Sequence, residues 1–348
     1  MSHGARGVSP SDDSQPRPRR PVPTDGAGAA SLSEAARRRW LLASAVAAAL
    51  VVRLAAGEPW TTLSLGDLLR ATSLVGLLTV GQQALLGAGG ADLAAGAAIG
   101  LGAALATSVA TAHGLLPAMV VTAAALVLVS LAAQAVARRG GVNSLLVTLA
   151  TALLLIAALP EAGAGLASEP LRAFGLDAAG ATWPRLAYVW VAAVATLAGV
   201  GPRRRLSWPA AAVLAGALWW VLALWTAGRE GASQLAAPWL QTPALGLGAA
   251  LMAGGRRGAR PDWPAGAMAA AALGILLATC GGELGSRGGT LLSGGALLLG
   301  LAAAPRGSTD PVQRDPDALH LDSLQADDVE GVGQAGVGGY DVEHEGAA

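Results

Sequence analysis

Residues 87–106 read GAGGADLAAGAAIGLGAALA, and the reading of this stretch decides the fold. A carboxylate, Asp92, stands between a Gly-Ala-Gly-Gly run and a long row of small apolar residues. That row approaches the roughly 20 apolar residues a helix needs to cross a hydrocarbon core. The glycines break the preceding helix. Asp92 therefore falls where an N-cap or first-turn residue would, beside free N–H groups and the positive end of a helix dipole. A broken span beside a helix N-terminus is also how transporters line a solute route with backbone polar groups. Asp92 thus has two readings, a cap and loop-former, which is the commoner role, or a direct solute contact.

The rest of the chain fits a bilayer. Of its 348 residues 53% are hydrophobic and only 13% charged, with a positive mean hydropathy, too apolar over too great a length for an ordinary soluble domain. All 23 basic residues are arginine, so a lysine-based phosphate cradle or Schiff base is excluded. The single cysteine, Cys280, allows no intrachain disulfide, and the four scattered histidines have no metal-ligand spacing. There is no HExxH, no GxSxG and no carboxylate pair at helical spacing inside a span, which disfavours a membrane enzyme. Gly331 to Gly336 match GxGxxG, but without a strand before or a helix after them the match is a decoy.

Arginine clusters and turn residues divide the chain into ten apolar pieces: 40–56, 67–87, 91–111, 115–137, 142–159, 184–201, 207–227, 238–255, 263–281 and 288–304. The expected fold is all-α, a polytopic bundle of about ten transmembrane helices. Residues 1–39 read as a disordered arm and 305–348 as a disordered acidic tail, both cytoplasmic. With the N-terminus inside, Arg37 to Arg39, Arg138, Arg139, Arg203, Arg204, Arg205, Arg256, Arg257, Arg260 and Arg306 fall on inner ends. Only Arg70, Arg172, Arg185, Arg229 and Arg287 fall on outer ones. Every cluster is then on one side, which is the positive-inside bias and predicts a multi-pass plasma-membrane protein with both termini cytoplasmic.

Polar groups inside such spans cost several kcal/mol unless they face protein or water, so each is a candidate for the functional path. Gln82, Gln83, Asp92, Gln134, Asn143, Thr148 and Thr151 qualify, while Arg53 is expected to snorkel to an interface. Trp219 reads as packing or lipid-facing. Gly96, Gly100 and Ala104 form a small-residue stripe that permits close helix approach.

The order LSLGDLLRATSLVGLLTVGQQALLGAGGADLAAGAAIGLGAALA resembles the permease subunits of bacterial ribose/xylose-type sugar ABC importers. The matching residues are Leu68, Leu69, Thr72, Ser73, Gly81, Gly89, Gly90, Asp92, Leu93 and Gly96. Gly141, Thr148, Leu149 and Thr151 match a second region, and Ala249, Gly254 and Gly255 a third, weaker one. The resemblance spans most of residues 60–304. It implies a type II importer-like permease, working as a dimer with a second copy or paralogue, fed by an extracellular solute-binding protein and driven by a cytoplasmic ABC ATPase. ATP would be bound by that partner and no cofactor by this chain. Gly89, Gly90, Asp92 and Gly96 would form its broken-helix motif, and Gln82, Gln83, Asp92, Asn143 and Thr148 would line the solute path. Arg138, Arg139, Arg203, Arg204, Arg205, Arg256 and Arg257 would face the ATPase. Membrane lipid is the surrounding partner, and nucleic acid is not expected. The chain differs from the family in its cytoplasmic loop Gly201 to Ser207, GPRRRLS, which is too short for the coupling helix. The alternative is a diverged, non-pumping membrane subunit with a structural or regulatory role.

Overall fold

The computed structural model describes residues 26–57, 62–158, 171, 185–199, 206–229 and 241–303. Among these, nine helices and no strands occur: α1 (Gly26–Ala55), α2 (Thr62–Gly87), α3 (Ala95–His113), α4 (Leu115–Arg139), α5 (Ser144–Ala157), α6 (Arg185–Gly199), α7 (Trp208–Arg229), α8 (Gln241–Met252) and α9 (Trp263–Ala303). The all-helical bundle is as expected. Its span count differs. Among the described residues only α3, α4 and α7 are individually long and apolar enough to cross a membrane, against the ten spans expected. Helices α5, α6 and α8 are short at 14, 15 and 12 residues, and α1 and α2 are diluted by Arg, Thr, Ser and Gln. Helix α1 also begins before residue 40, so residues 26–39, expected within a disordered arm, are helical; the Glu34–Arg38 pair at i,i+4 supports that turn. Residues 1–25, the acidic tail and Arg203 to Arg205 lie outside the described residues.

Local chemistry sets the ends of the helices. Helices α2, α4 and α8 each stop at a glycine with positive φ: Gly89 at 90°, Gly141 at 60° and Gly254 at 85°. In each case the next residue's N–H reaches back five positions, Gly90 to Leu85 O, Val142 to Ala137 O and Gly255 to Ala250 O. These are Schellman caps, and a side chain with a Cβ would be strained at each left-handed position. At the start of α5, Asn143 Oδ1 accepts from Leu145 N at 3.1 Å, an N-cap.

Packing then gives three neighbouring pairs a definite direction. Gly246 meets Leu78 and Gly255 meets Leu86, so α8 runs parallel to α2. Arg39 pairs with Asp262 and Arg53 with Thr279, so α1 runs parallel to the first half of α9. Gln241 bonds Thr290, and Gly248 touches Ala296, so the second half of α9 runs parallel to α8. Helix α9 therefore cannot be straight. A rigid rod would hold Gly266 and Ala296 about 45 Å apart. The contacts Gly266–Gln83, Leu78–Gly246 and Gly248–Ala296 close that path within roughly 35 Å at most. The helix doubles back between its apolar segments Trp263–Thr279 and Thr290–Ala302, both shorter than the helices long enough to span a membrane.

The interior is built from small residues. Alanine dominates the buried positions, and Gly274 lies so close to α2 that an added Cβ would stand 2.4 Å from Thr72 Cα. Large apolar side chains face outward instead: Leu116, Val120, Leu128 and Val136 on α4 and Leu298, Leu299 and Leu301 on α9 are more than half exposed. A small-residue core with an apolar exterior is the arrangement a lipid solvent selects, because lipid provides no hydrophobic drive between helices and close packing must supply the cohesion. Arg53 departs from expectation. It is 3% exposed and turned into the bundle toward Thr279 Oγ1 rather than out to an interface.

Candidate functional site

Between α2 and α3 the chain is non-helical from Ala88 to Ala94, and most of this segment is buried. Helices α2 and α3 are separated by α7, which packs on both, so the segment is a crossover within the bundle rather than a surface hairpin. Irregular backbone at depth requires internal partners for its polar groups. Every backbone N–H from Gly89 to Ala94 has one. Gly89 and Gly90 bond back to α2. Ala91 N donates to Ser144 Oγ at 3.2 Å, Leu93 N to Thr148 Oγ1 at 3.1 Å, and Ala94 N to Asp92 Oδ1 at 2.7 Å. Asp92 N donates to Gln82 Oε1 at 3.2 Å while Gln82 Nε2 donates to Asp92 O at 2.5 Å, so one side-chain amide pairs with residue 92 as a neighbouring strand would. Carbonyls are covered likewise: Gln134 Nε2 donates to Ala91 O at 3.2 Å, and the Arg138 guanidinium donates to Ala88 O.

The Asp92 carboxylate, 4% exposed, is held from two sides. Its Oδ1 accepts from Ala94 N, and its Oδ2 accepts from the indole Nε1 of Trp219 at 3.0 Å. Trp219 is 1% exposed and reaches this position because Gly81 leaves room, an added Cβ there standing 2.6 Å from the ring. Gly90 serves Gln134 in the same way, with a Cβ site 2.3 Å from Gln134 Oε1.

Of the residues expected on a solute path, Gln82, Asp92 and Thr148 come together here, and all three contact the crossover itself. Gln83, one residue and about 100° further round α2, faces the other way. Its Nε2 donates to Asp262 O at 3.1 Å, and its buried Oε1 has no hydrogen-bond partner. Asn143 is exposed at the α5 start, where its Oδ1 accepts from Leu145 N and from Arg257 at 2.7 Å. In the broken-helix motif, Gly89 supplies the left-handed turn, Gly90 the space for Gln134, and Gly96 is buried in the first turn of α3. Arg138, Arg139, Arg256 and Arg257 are exposed at one end of the bundle. Sequence reasoning missed Trp219, read as packing or lipid-facing, and the anchoring roles of Gln134, Ser144 and Arg138. Gln134 and Arg138 are one turn apart on α4, a polar i,i+4 pair in an apolar helix, and that spacing was the available signal.

No family model matches the chain, and no curated protein or solved structure is significantly similar to it.

Proposed function

We propose that the chain is a membrane-embedded permease subunit of the sugar-importer type, passing a small polar solute in concert with a separate ATPase and a binding protein. On this reading the bundle is multi-pass in a bacterial plasma membrane, with its arginine-rich end in the cytosol. The observation that supports it is the buried crossover Ala88–Ala94, irregular backbone held at depth by side chains from α2, α4, α5 and α7. Membrane proteins tolerate such a break where it is enclosed by protein or lines a cavity, and transporters use it to bring backbone polar groups to a solute. The test is affinity purification of the tagged chain from its native host membrane, followed by reconstitution. An ABC-type ATPase that copurifies and whose hydrolysis rises with a sugar-loaded binding protein is the expected result. No ATPase partner and no solute flux through the reconstituted chain would sink the reading.

A second reading has its own support. The partners of the crossover are all protein groups, so Gln82, Asp92 and Thr148 serve structure as they stand. A non-pumping subunit that retains the bundle for assembly needs no more than this. It would copurify with a larger permease complex yet be dispensable for that complex's turnover.

A further inference from the structure

Two cavities lie at the arginine-rich end of the bundle with Arg257 in the wall of each. The first, about 500 Å³, is polar; it lies between the α2–α3 crossover and the α4–α5 turn, and Gln134, Arg138, Asn143, Ser144 and Arg257 stand in its wall. The second, about 410 Å³, is almost wholly apolar, walled by leucines of α5, α8 and α9, among them Leu145, Leu251, Leu297 and Leu301, with Arg256 and Arg257 at its head. Among the described residues neither wall contains an acidic one, so the polar cavity presents two guanidinium groups with no counter-charge from its described lining.

We infer that the two cavities together form a binding site for one anionic phospholipid, its phosphate between Arg138 and Arg257 and an acyl chain along the leucine groove. Charge and shape argue together. Arg138 gives a donor to Ala88 O and lies 5.6 Å over the Trp208 ring, and Arg257 gives one to Asn143 Oδ1; a guanidinium has five N–H donors, so each keeps a fork for phosphate oxygens. Trp208 sits at the start of α7 on this end, where an amphipathic ring suits the headgroup layer. A small soluble anion would use the polar cavity and leave the adjoining leucine groove unexplained. Basic pockets between helices at the cytoplasmic face are a known way of holding anionic headgroups. The inference needs only the bundle in a membrane and stands apart from whether the chain transports anything.

The test uses the full chain purified in neutral detergent and stripped of lipid. Phosphatidylglycerol and phosphatidylcholine of equal acyl length are added separately, and bound lipid is counted by native mass spectrometry alongside thermal stability. Phosphatidylglycerol should be retained about tenfold over phosphatidylcholine. Arg257→Gln should collapse that preference. Leu301→Trp, which fills the groove from an exposed position, should lower retention of both lipids without changing melting in detergent alone. Equal retention of the two lipids by the unaltered chain would overturn the site. So would an equal stabilisation by millimolar inorganic phosphate, which assigns the cavity to a free anion. Efficient disulfide crosslinking between two copies through Leu301→Cys, with Cys280 replaced by serine, would also overturn it by assigning the groove to a second copy.

Discussion

The indole Nε1 of Trp219 donates to Oδ2 of Asp92 at 3.0 Å, joining residues 127 positions apart across the centre of the bundle. Both are almost completely buried, and Gly81 on α2 supplies the space that lets the ring arrive. The carboxylate in turn holds Ala94 N at the entry to α3, so the bond ties α7 to the geometry of the crossover.

Trp219→Phe removes that donor together with a third of the ring atoms, so an unmatched acceptor and a small cavity add together. It should lower unfolding free energy by at least about 1–3 kcal/mol, the range for leaving one buried acceptor unmatched, measured by steric trapping or detergent denaturation. Trp219→Phe at full stability would mean that the bond is incidental to the fold.

Gln82 occupies both the N–H and the C=O of residue 92. Gln82→Leu preserves volume and strands both backbone groups, and a loss of about 2 kcal/mol is expected, less if water enters the gap. Gln83→Leu should cost much less, since it gives up one bond to Asp262 O and removes a carbonyl oxygen that is already buried without a partner. The comparison is made in one denaturation series, and equal losses would contradict the different faces assigned to the two glutamines.

Close helix contact makes Gly274→Ala the most damaging small change. Its Cβ would stand 2.4 Å from backbone Thr72 Cα, so α2 and α9 must part, and expression of folded protein should fall sharply. Gly294→Ala meets nothing within 4 Å and should be neutral or stabilising by up to about 1 kcal/mol. Size-exclusion profiles of the two variants distinguish these outcomes.

The doubling back of α9 puts Arg260 and Ala302 at one end of the bundle and Thr290 at the other, near Gln241. Single cysteines at these positions, in a chain with Cys280 replaced by serine, should label from opposite membrane faces: 260 and 302 together, 290 with a cysteine at His113. Labelling of 290 and 302 from the same face would refute the reversal.

The described helix boundaries lie within a few residues of the apolar runs over 62–157 and 185–252, and so do the outer limits of 263–303. They were legible because they depend on local chemistry: Gly89, Gly141 and Gly254 stop helices through their own φ, and Asn143 starts one through its own side chain. Asp92 as a loop-former was legible for the same reason, since the glycines beside it break the helix wherever it sits, but the N-cap or first-turn place expected for it is taken by Ala94 and Ala95, and Asp92 holds Ala94 N from two residues before the cap. The gathering of Arg39, Arg138 and Arg257 at one end follows from their positions at alternating helix ends.

Tertiary structure decided which face of each helix points inward. In water a helix displays its buried face by contrast with a polar one, but a helix in lipid is apolar all round and its periodicity carries no such contrast. Trp219 therefore read as a lipid-facing or packing residue until α2 and α7 were placed against each other, and Arg53 as an interface residue until α9 lay beside it. The reversal inside α9 came from the same source, because continuous helical residues say nothing of direction until Gly248 meets Ala296. Local chemistry wrote the pieces of this protein into its sequence, whereas their facing, which depends on partners on other helices far along the chain, existed only once the helices had packed.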